Sequence, residues 1–405
     1  MNPRALTVAM SAAFATLVGG CGQGTNDAAD VQSLALTGGS VDVANAPIAC
    51  GSPAGALIDI GPLPGDSQSA AVGIDKHGDV LAASGTLTAA RSFFWRDGTA
   101  TELVGAYGLA RPVAMNSNGR AVGRVGGGCG NMSGCVAAWD APSPTPIPFG
   151  VTFAIDDMWL AGVGDNDAPF GVARVQRGCS NCYHAVTWGP DLGTDVIDLG
   201  TIDGVSTTGS NASAINKHGD VVGTSGGRAV IWNPAIGDMG NLGAGGASGV
   251  DVNAAGQAVG TSATPGGYPH AFLWQAGVMQ DLGTLQGGAS AAVAINKGGD
   301  VAGSSDGHAF LWTRGTMIDL GTLGGASSTV VAVNDSGQVA GTSDTAAGTT
   351  HAFLWTGGTM IDLGTLGGPN SRATAINVSG RVVGTSGTAD GTDHAFVSCP
   401  LKNNP

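Results

Sequence analysis

Along most of this chain apolar residues sit in short β-type runs, such as "DVVGTS" and "AFLW", with Gly, Ser, Thr, Asn and Asp between the runs, so the period to look for is two. A period of two sends alternate side chains to opposite faces of a strand, whereas an amphipathic helix repeats at 3.6. The pattern predicts short β-strands joined by tight turns and no long helices. The strands also recur in sets. "HAFLWTRGTMIDLGTLGG" at 308–325 returns as "HAFLWTGGTMIDLGTLGG" at 351–368. Seven of the eight tryptophans, Trp95, Trp139, Trp188, Trp232, Trp274, Trp312 and Trp355, end one type of apolar strand at spacings of 38 to 49 residues, and an eighth copy, "HAFVS", ends on Ser398.

Each unit holds four strand-like runs, as in "SAAVAIN", "DVAGSS", "HAFLW" and "TMIDLGTL" between 290 and 323. A four-stranded sheet of this size cannot bury both faces by itself, so copies must stack on one another; the arrangement that does so is an all-β β-propeller. A fourth-type strand, "GALIDIGPL" at 55–63, precedes the first full unit, while none follows "HAFVS". One N-terminal strand therefore completes the last blade and removes the open edge. The count is eight blades, or seven if the third unit, roughly 149 to 188, is irregular; its run "VTFAIDDMWLAGVGDNDAPF" fits the pattern poorly.

The motifs "HAFLW", "DLGTLGG" and "AIN" resemble the HAF extracellular repeats of exported bacterial proteins, over most of residues 55–398, with the second and third units departing most. The resemblance implies export and an array of repeats, and no particular activity. Residues 1–20 carry Arg4 and an apolar stretch ending on small residues, the layout of an export signal. Val18-Gly19-Gly20-Cys21 resembles the lipobox of bacterial lipoproteins, which implies a lipid on Cys21; Gly22 after it implies onward transport to the outer membrane. The expected organisation is a signal peptide at 1–20, a flexible tether at 21–46, the propeller at 47–400 and a tail at 401–405.

Composition narrows the partners. The formal net charge is -14 with 11% charged residues, few lysines and no basic run, which argues against a nucleic-acid partner because that affinity is mostly cation-driven. Apart from Cys21, six cysteines remain in a chain expected in an oxidising compartment. Their places in the repeat predict bridges Cys129–Cys135, Cys179–Cys182 and Cys50–Cys399, the last clasping the ring across its seam. The Cys179–Cys182 pair could alternatively bind zinc or act in redox chemistry, but a second CxxC is missing and His184 is the only nearby imidazole.

Residues copied in many blades read as scaffold. His184, His270, His308, His351 and His394 open equivalent strands and are expected to bond a turn or adjacent backbone; Asn216, Asn253, Asn296, Asn334 and Asn377 are expected to cap turns. Asp198, Asp281, Asp319 and Asp362 should make local hydrogen bonds, and the repeated tryptophans should pack between blades. Asp165-Asn166-Asp167 and the loop of Asp390 and Asp393 offer oxygens to calcium without completing a known loop. HExxH and phosphate-loop motifs are absent from the sequence, and no catalytic constellation, metal site or cofactor is indicated.

A ring of copies should bind where the copies differ. Units two and three carry the two short cysteine loops, "APSPTPIPF", and five arginines on an acidic protein: Arg111, Arg120, Arg124, Arg174 and Arg177. They are expected to form a contact surface for an acidic glycan or a protein loop on a monomeric, non-enzymatic, lipid-anchored envelope protein. Two other readings stand beside it. One is a periplasmic scaffold for outer-membrane protein assembly, the other a polysaccharide-active enzyme in the central channel.

Overall fold

The computed structural model describes residues 40–42, 56–85, 91–104, 110–125, 135–149, 158–174, 183–189, 191–192, 196–204 and 209–400. Within the unit that starts at Gly38, every described element is a strand, and the strands form eight antiparallel sheets around a common axis. The chain is an eight-bladed β-propeller. Blade six shows the plan: Ser290–Ile295 innermost, then Val301–Ser305, His308–Thr313 and Thr316–Gly321 outermost. The third unit is a complete blade, Met158–Val163, Pro169–Arg174, Tyr183–Trp188 and Val196–Asp198, so the seven-blade alternative falls.

Leu57–Asp59 pairs with Asp393–Ser398 as the outer strand of blade eight, and Cys399 donates its backbone N–H to Ala56 O at 2.8 Å. The ring is therefore closed by main-chain hydrogen bonds between the two ends of the sequence. One boundary moves. Ser40–Asp42, placed by composition in the tether, adds a fifth strand to blade one outside Thr99–Glu102.

Apolar residues gather into eight clusters, and each spans two neighbouring blades. Between blades five and six, Val259 and Leu273 meet Ile295, Phe310 and Trp312. Trp139, Trp188 and Trp232 are fully buried in such junctions, as the repeat predicts. Each inner strand carries a β-bulge, for instance between Ala292 and Ala294. The bulge brings the first strand onto the second so closely that a Cβ on Gly303 would lie 2.2 Å from Ala291 O and 2.7 Å from the Phe310 ring. This is why "VVGTS"-type strands need glycine in the middle.

Packing alone does not fix the angle between blades; directional bonds do. Asn296 at the end of an inner strand accepts the Asp300 N–H on Oδ1 at 2.9 Å, which holds its own turn. Its Nδ2 donates to Asn334 O of the next blade at 3.1 Å. The same link runs from Asn216 to Asn253, from Asn253 to Asn296, from Asn334 to Asn377 and from Asn377 to Asp75 O across the seam. Asn116 makes it to Gly164 O. The asparagines thus cap turns, as expected, and also tie blades together.

Replacing Asn296 by Ala strands a buried carbonyl and a turn N–H, which should cost about 2–4 kcal/mol. Urea denaturation of the variant should show a clearly lowered midpoint; an unchanged midpoint would show that apolar packing alone sets the junction.

Candidate functional site

The turns divide the ring into two faces. Turns between first and second strands, and between third and fourth, lie on one face; turns between second and third strands, and the connections to the next blade, lie on the other. The predicted contact surface belongs to the second, here called the connection face. Arg111 and Arg124 are register partners there, on the first and second strands of blade two, and Arg111 is exposed. The backbone of Arg174 occupies the matching end of the second strand in blade three, opposite Tyr183. Arg120 does not join them. It starts the second strand at the far end, roughly 13 Å from Arg124 by strand rise, and its guanidinium binds Asp140 at 2.8 and 3.1 Å. That bond raises the Arg120 pKa and burial opposes it. Arg177 lies outside the described residues.

The cysteine predictions fall mostly outside the described residues: Cys21, Cys50, Cys129, Cys179 and Cys182 all do, and Cys135 is described in backbone only, as the first residue of a third strand. Cys399 is buried and disulfide-bonded.

The repeated histidines have a different partner from the one expected. In His184, His270, His308, His351 and His394 the Nδ1 atom meets a carboxylate on the outer strand, respectively Asp198, Asp281, Asp319, Asp362 and Asp59, at 2.9–3.1 Å. Each of those aspartates also accepts the N–H of the glycine two residues on, for example Gly321 N at 2.8 Å. The pair pins the outer strand and its exit turn, a scaffold task.

In the loops considered for calcium, Asp165, Asp167 and Asp390 accept hydrogen bonds from within the protein. Asp165 accepts from Ser117 Oγ at 2.7 Å, and Asp167 accepts from Asn116 Nδ2 at 2.7 Å, locking blade two to blade three. Asp390 accepts from Thr388 Oγ1, Thr392 Oγ1 and Thr392 N, and these bonds lower its pKa to about 2.

Two features escaped the sequence reading. The first is Trp159, the one tryptophan off the third strands. It sits on the inner strand of blade three at the position that Arg111 holds in blade two, is 38% exposed, and leans on Tyr183 with ring centroids 5.2 Å apart and planes at 60°. An exposed indole braced by a second ring, beside arginines, is a platform for a ligand with an apolar face and negative charge.

The second feature is inside the channel. The inner strands enclose a cavity of about 740 Å³ that opens on the other face. Its rim is the residue after each inner-strand asparagine or its equivalent, and three of the four lysines in the chain, Lys76, Lys217 and Lys297, hold that position. In the wall stands Asp251, at the position after the bulge where every other inner strand has glycine or alanine, such as Ala214 and Ala294 in the flanking blades. Its carboxylate accepts Val252 N at 2.8 Å and Ile295 N of the next blade at 2.9 Å. Asp251 lines the cavity and is half-buried, with its carboxylate held between the inner strands of blades five and six. Desolvation raises its pKa from the ordinary aspartate value, the two amide bonds oppose the rise, and the charge of Asp165 adds to it.

No family model matches the chain, and no curated protein matches it. Solved structures similar to it are propellers or contain them. The β-propeller domain of the Trilobed protease from Pyrococcus furiosus is 8% identical, covering 82% of this chain and 94% of that one, with a TM-score of 0.44. A puromycin-hydrolyzing peptidase of Mycobacterium tuberculosis is 14% identical over 87% of this chain and 62% of that one, TM-score 0.44, and a gluconolactonase from Xanthomonas campestris is 12% identical over 85% and 89%, TM-score 0.34. These likenesses concern architecture alone.

The Asp251 shift has a sign that can be measured. A folded-state pKa above the unfolded value, near 4, means the stability it contributes is complete at lower pH and is lost as pH rises through the folded value. Denaturation midpoints of the wild type should therefore fall relative to Asp251→Asn as pH is raised from about 4 to neutral. A difference between the two proteins that does not vary with pH would show an ordinary, solvated carboxylate.

Proposed function

We propose that this protein is a non-enzymatic binding propeller of the bacterial envelope, tethered by a lipid on Cys21, that takes an acidic glycan on the connection face of blades two and three. The observation that carries the reading is the exposed Trp159 ring braced by Tyr183, next to the blade that presents Arg111 and Arg124. A pyranose offers a flat C–H face to an aromatic ring, and a carboxylate or sulfate on the sugar suits a guanidinium fork. At the equivalent inner-strand positions Ala70, Asn211, Ser248, Ala291 and Thr329 give neither a platform nor a charge, and Arg372 of blade eight gives a charge without an aromatic beside it on a neighbouring inner strand. An acidic protein repels an acidic polymer over most of its surface, so binding concentrates where arginine gathers. The predicted Cys50–Cys399 bridge would secure the ring at the seam of the sequence, well away in the chain from this surface.

Affinity electrophoresis in polygalacturonate should retard the wild type, and Trp159→Ala should bind about tenfold more weakly with an unchanged melting temperature. Arg111→Ala should weaken binding most at low salt. Equal retardation of wild type and Trp159→Ala would remove the platform from the proposal. For the anchor, Cys21→Ser should shift the protein from membranes to the soluble exported fraction and abolish labelling by a fatty-acid analogue; labelling that persists would place the lipid elsewhere or exclude it.

A further inference from the structure

The cavity on the opposite face has a chemistry of its own. Asp251 is a carboxylate in a wall that the other blades build from glycine and alanine, and the same bulge forms in those blades without it. It accepts two backbone N–H groups and makes no ion pair among the described residues. A desolvated anion without a countercharge is costly, so a purely structural role is poorly served by this residue. The rim above it dips. Blade five carries Ala254 at the rim position, while blades four and six on either side carry Lys217 and Lys297. The result is a notch, with a carboxylate at its foot and an ammonium group on each shoulder.

We infer that the central cavity binds a small zwitterion, its ammonium group on Asp251 and its anionic end between Lys217 and Lys297. The volume of about 740 Å³ is that of a small-molecule site. Asp251 and Ala254 are three residues apart, roughly 10 Å along an extended strand. A flexible chain carrying opposite charges at its two ends spans that interval. Asp335 lies 3.9 Å from the Lys297 ammonium and accepts the Lys297 backbone N–H at 3.1 Å, whereas Lys217 is exposed and makes no ion pair among the described residues, so Lys217 is the stronger anion contact. Lys76 and Asp165 also face this mouth, with Lys76 donating to Asn118 Oδ1 and Asp165 accepting from Ser117 Oγ. Against these neighbours, affinity rises with pH as Asp251 loses its proton, and in Asp251→Asn the rise disappears.

The test is calorimetric titration of the detergent-solubilised full chain with ω-amino acids from 4-aminobutanoate to 8-aminooctanoate, with hexylamine and hexanoate as single-charge controls. At least one amino acid in the series should bind about tenfold or more tightly than both controls, since each end adds a charge-assisted contact. Asp251→Ala, which installs the residue native to the flanking blades, should lose that advantage. Lys217→Gln should weaken binding several-fold, and Trp159→Ala should leave it unchanged, which separates this site from the glycan surface. A series that binds no better than its controls, or an Asp251→Ala protein that binds like the wild type, overturns the inference; an unaffected Lys217→Gln protein overturns the placement of the anionic end.

Discussion

The ring depends on hydrogen bonds that a side chain of one blade makes to the backbone of the next. Within a blade the strands satisfy one another, but between blades no ladder exists, and apolar contact has no preferred angle. Asparagine supplies the direction at the channel end of six junctions. Buried serines supply it at the other end: Ser328 Oγ accepts Ala309 N of blade six at 2.8 Å and donates to Gly321 O at 2.6 Å, and Ser371, Ser290 and Ser210 repeat this double contact. A second buried serine row, such as Ser343 accepting Leu323 N, holds the linker between blades. Where the asparagine is missing, something else closes the gap. Asp75 has no N–H on its side chain, and there the backbone takes over, Lys76 N to Ser117 O at 3.0 Å.

This division of labour explains what could be read from the amino acids. Strand period, tryptophan spacing and the unpaired first strand are long-range regularities, and they survive any local substitution; they gave eight blades and the closure through Leu57–Asp59. Partners were harder to foresee. His308 and Asp319 lie in different strands, and which carboxylate meets an imidazole depends on register, which a bulge shifts by one. The same shift obscures Asp251. In "ASGVDVN" against "SAAVAIN" the final asparagines align Asp251 with Ala294, so the anomaly was present in the sequence, but its meaning required knowing that this position faces a cavity. Trp159 gave a comparable signal as the one tryptophan out of step with the other seven.

Repetition therefore separates scaffold from candidate chemistry. A His–Asp pair that occurs in five blades cannot distinguish one place on the ring from another, and each copy is occupied in holding a strand and a turn. The loops of Asp165, Asp167 and Asp390 look like cation ligands only until their donors are counted, because hydroxyl and amide groups from the same or the adjoining blade already claim the oxygens. Trp159 and Asp251 are not copied, and the packing of their blades would be complete without them.

A propeller presents two mouths, and this one equips them differently. Arginine and an aromatic pair mark the connection face, while lysine and a desolvated carboxylate mark the channel face. Arginine with aromatic support suits an extended ligand lying on a surface, since a planar guanidinium can grip one edge while the ring covers a face. A carboxylate sunk three residues below a lysine rim suits a ligand that enters end-on and leaves little of itself outside. The inner strands lie between the two mouths, and their junctions are fixed by the asparagine and serine bonds at either end. A ligand at one mouth can therefore influence the other only by altering those junctions, and a ring closed through its own backbone resists that change.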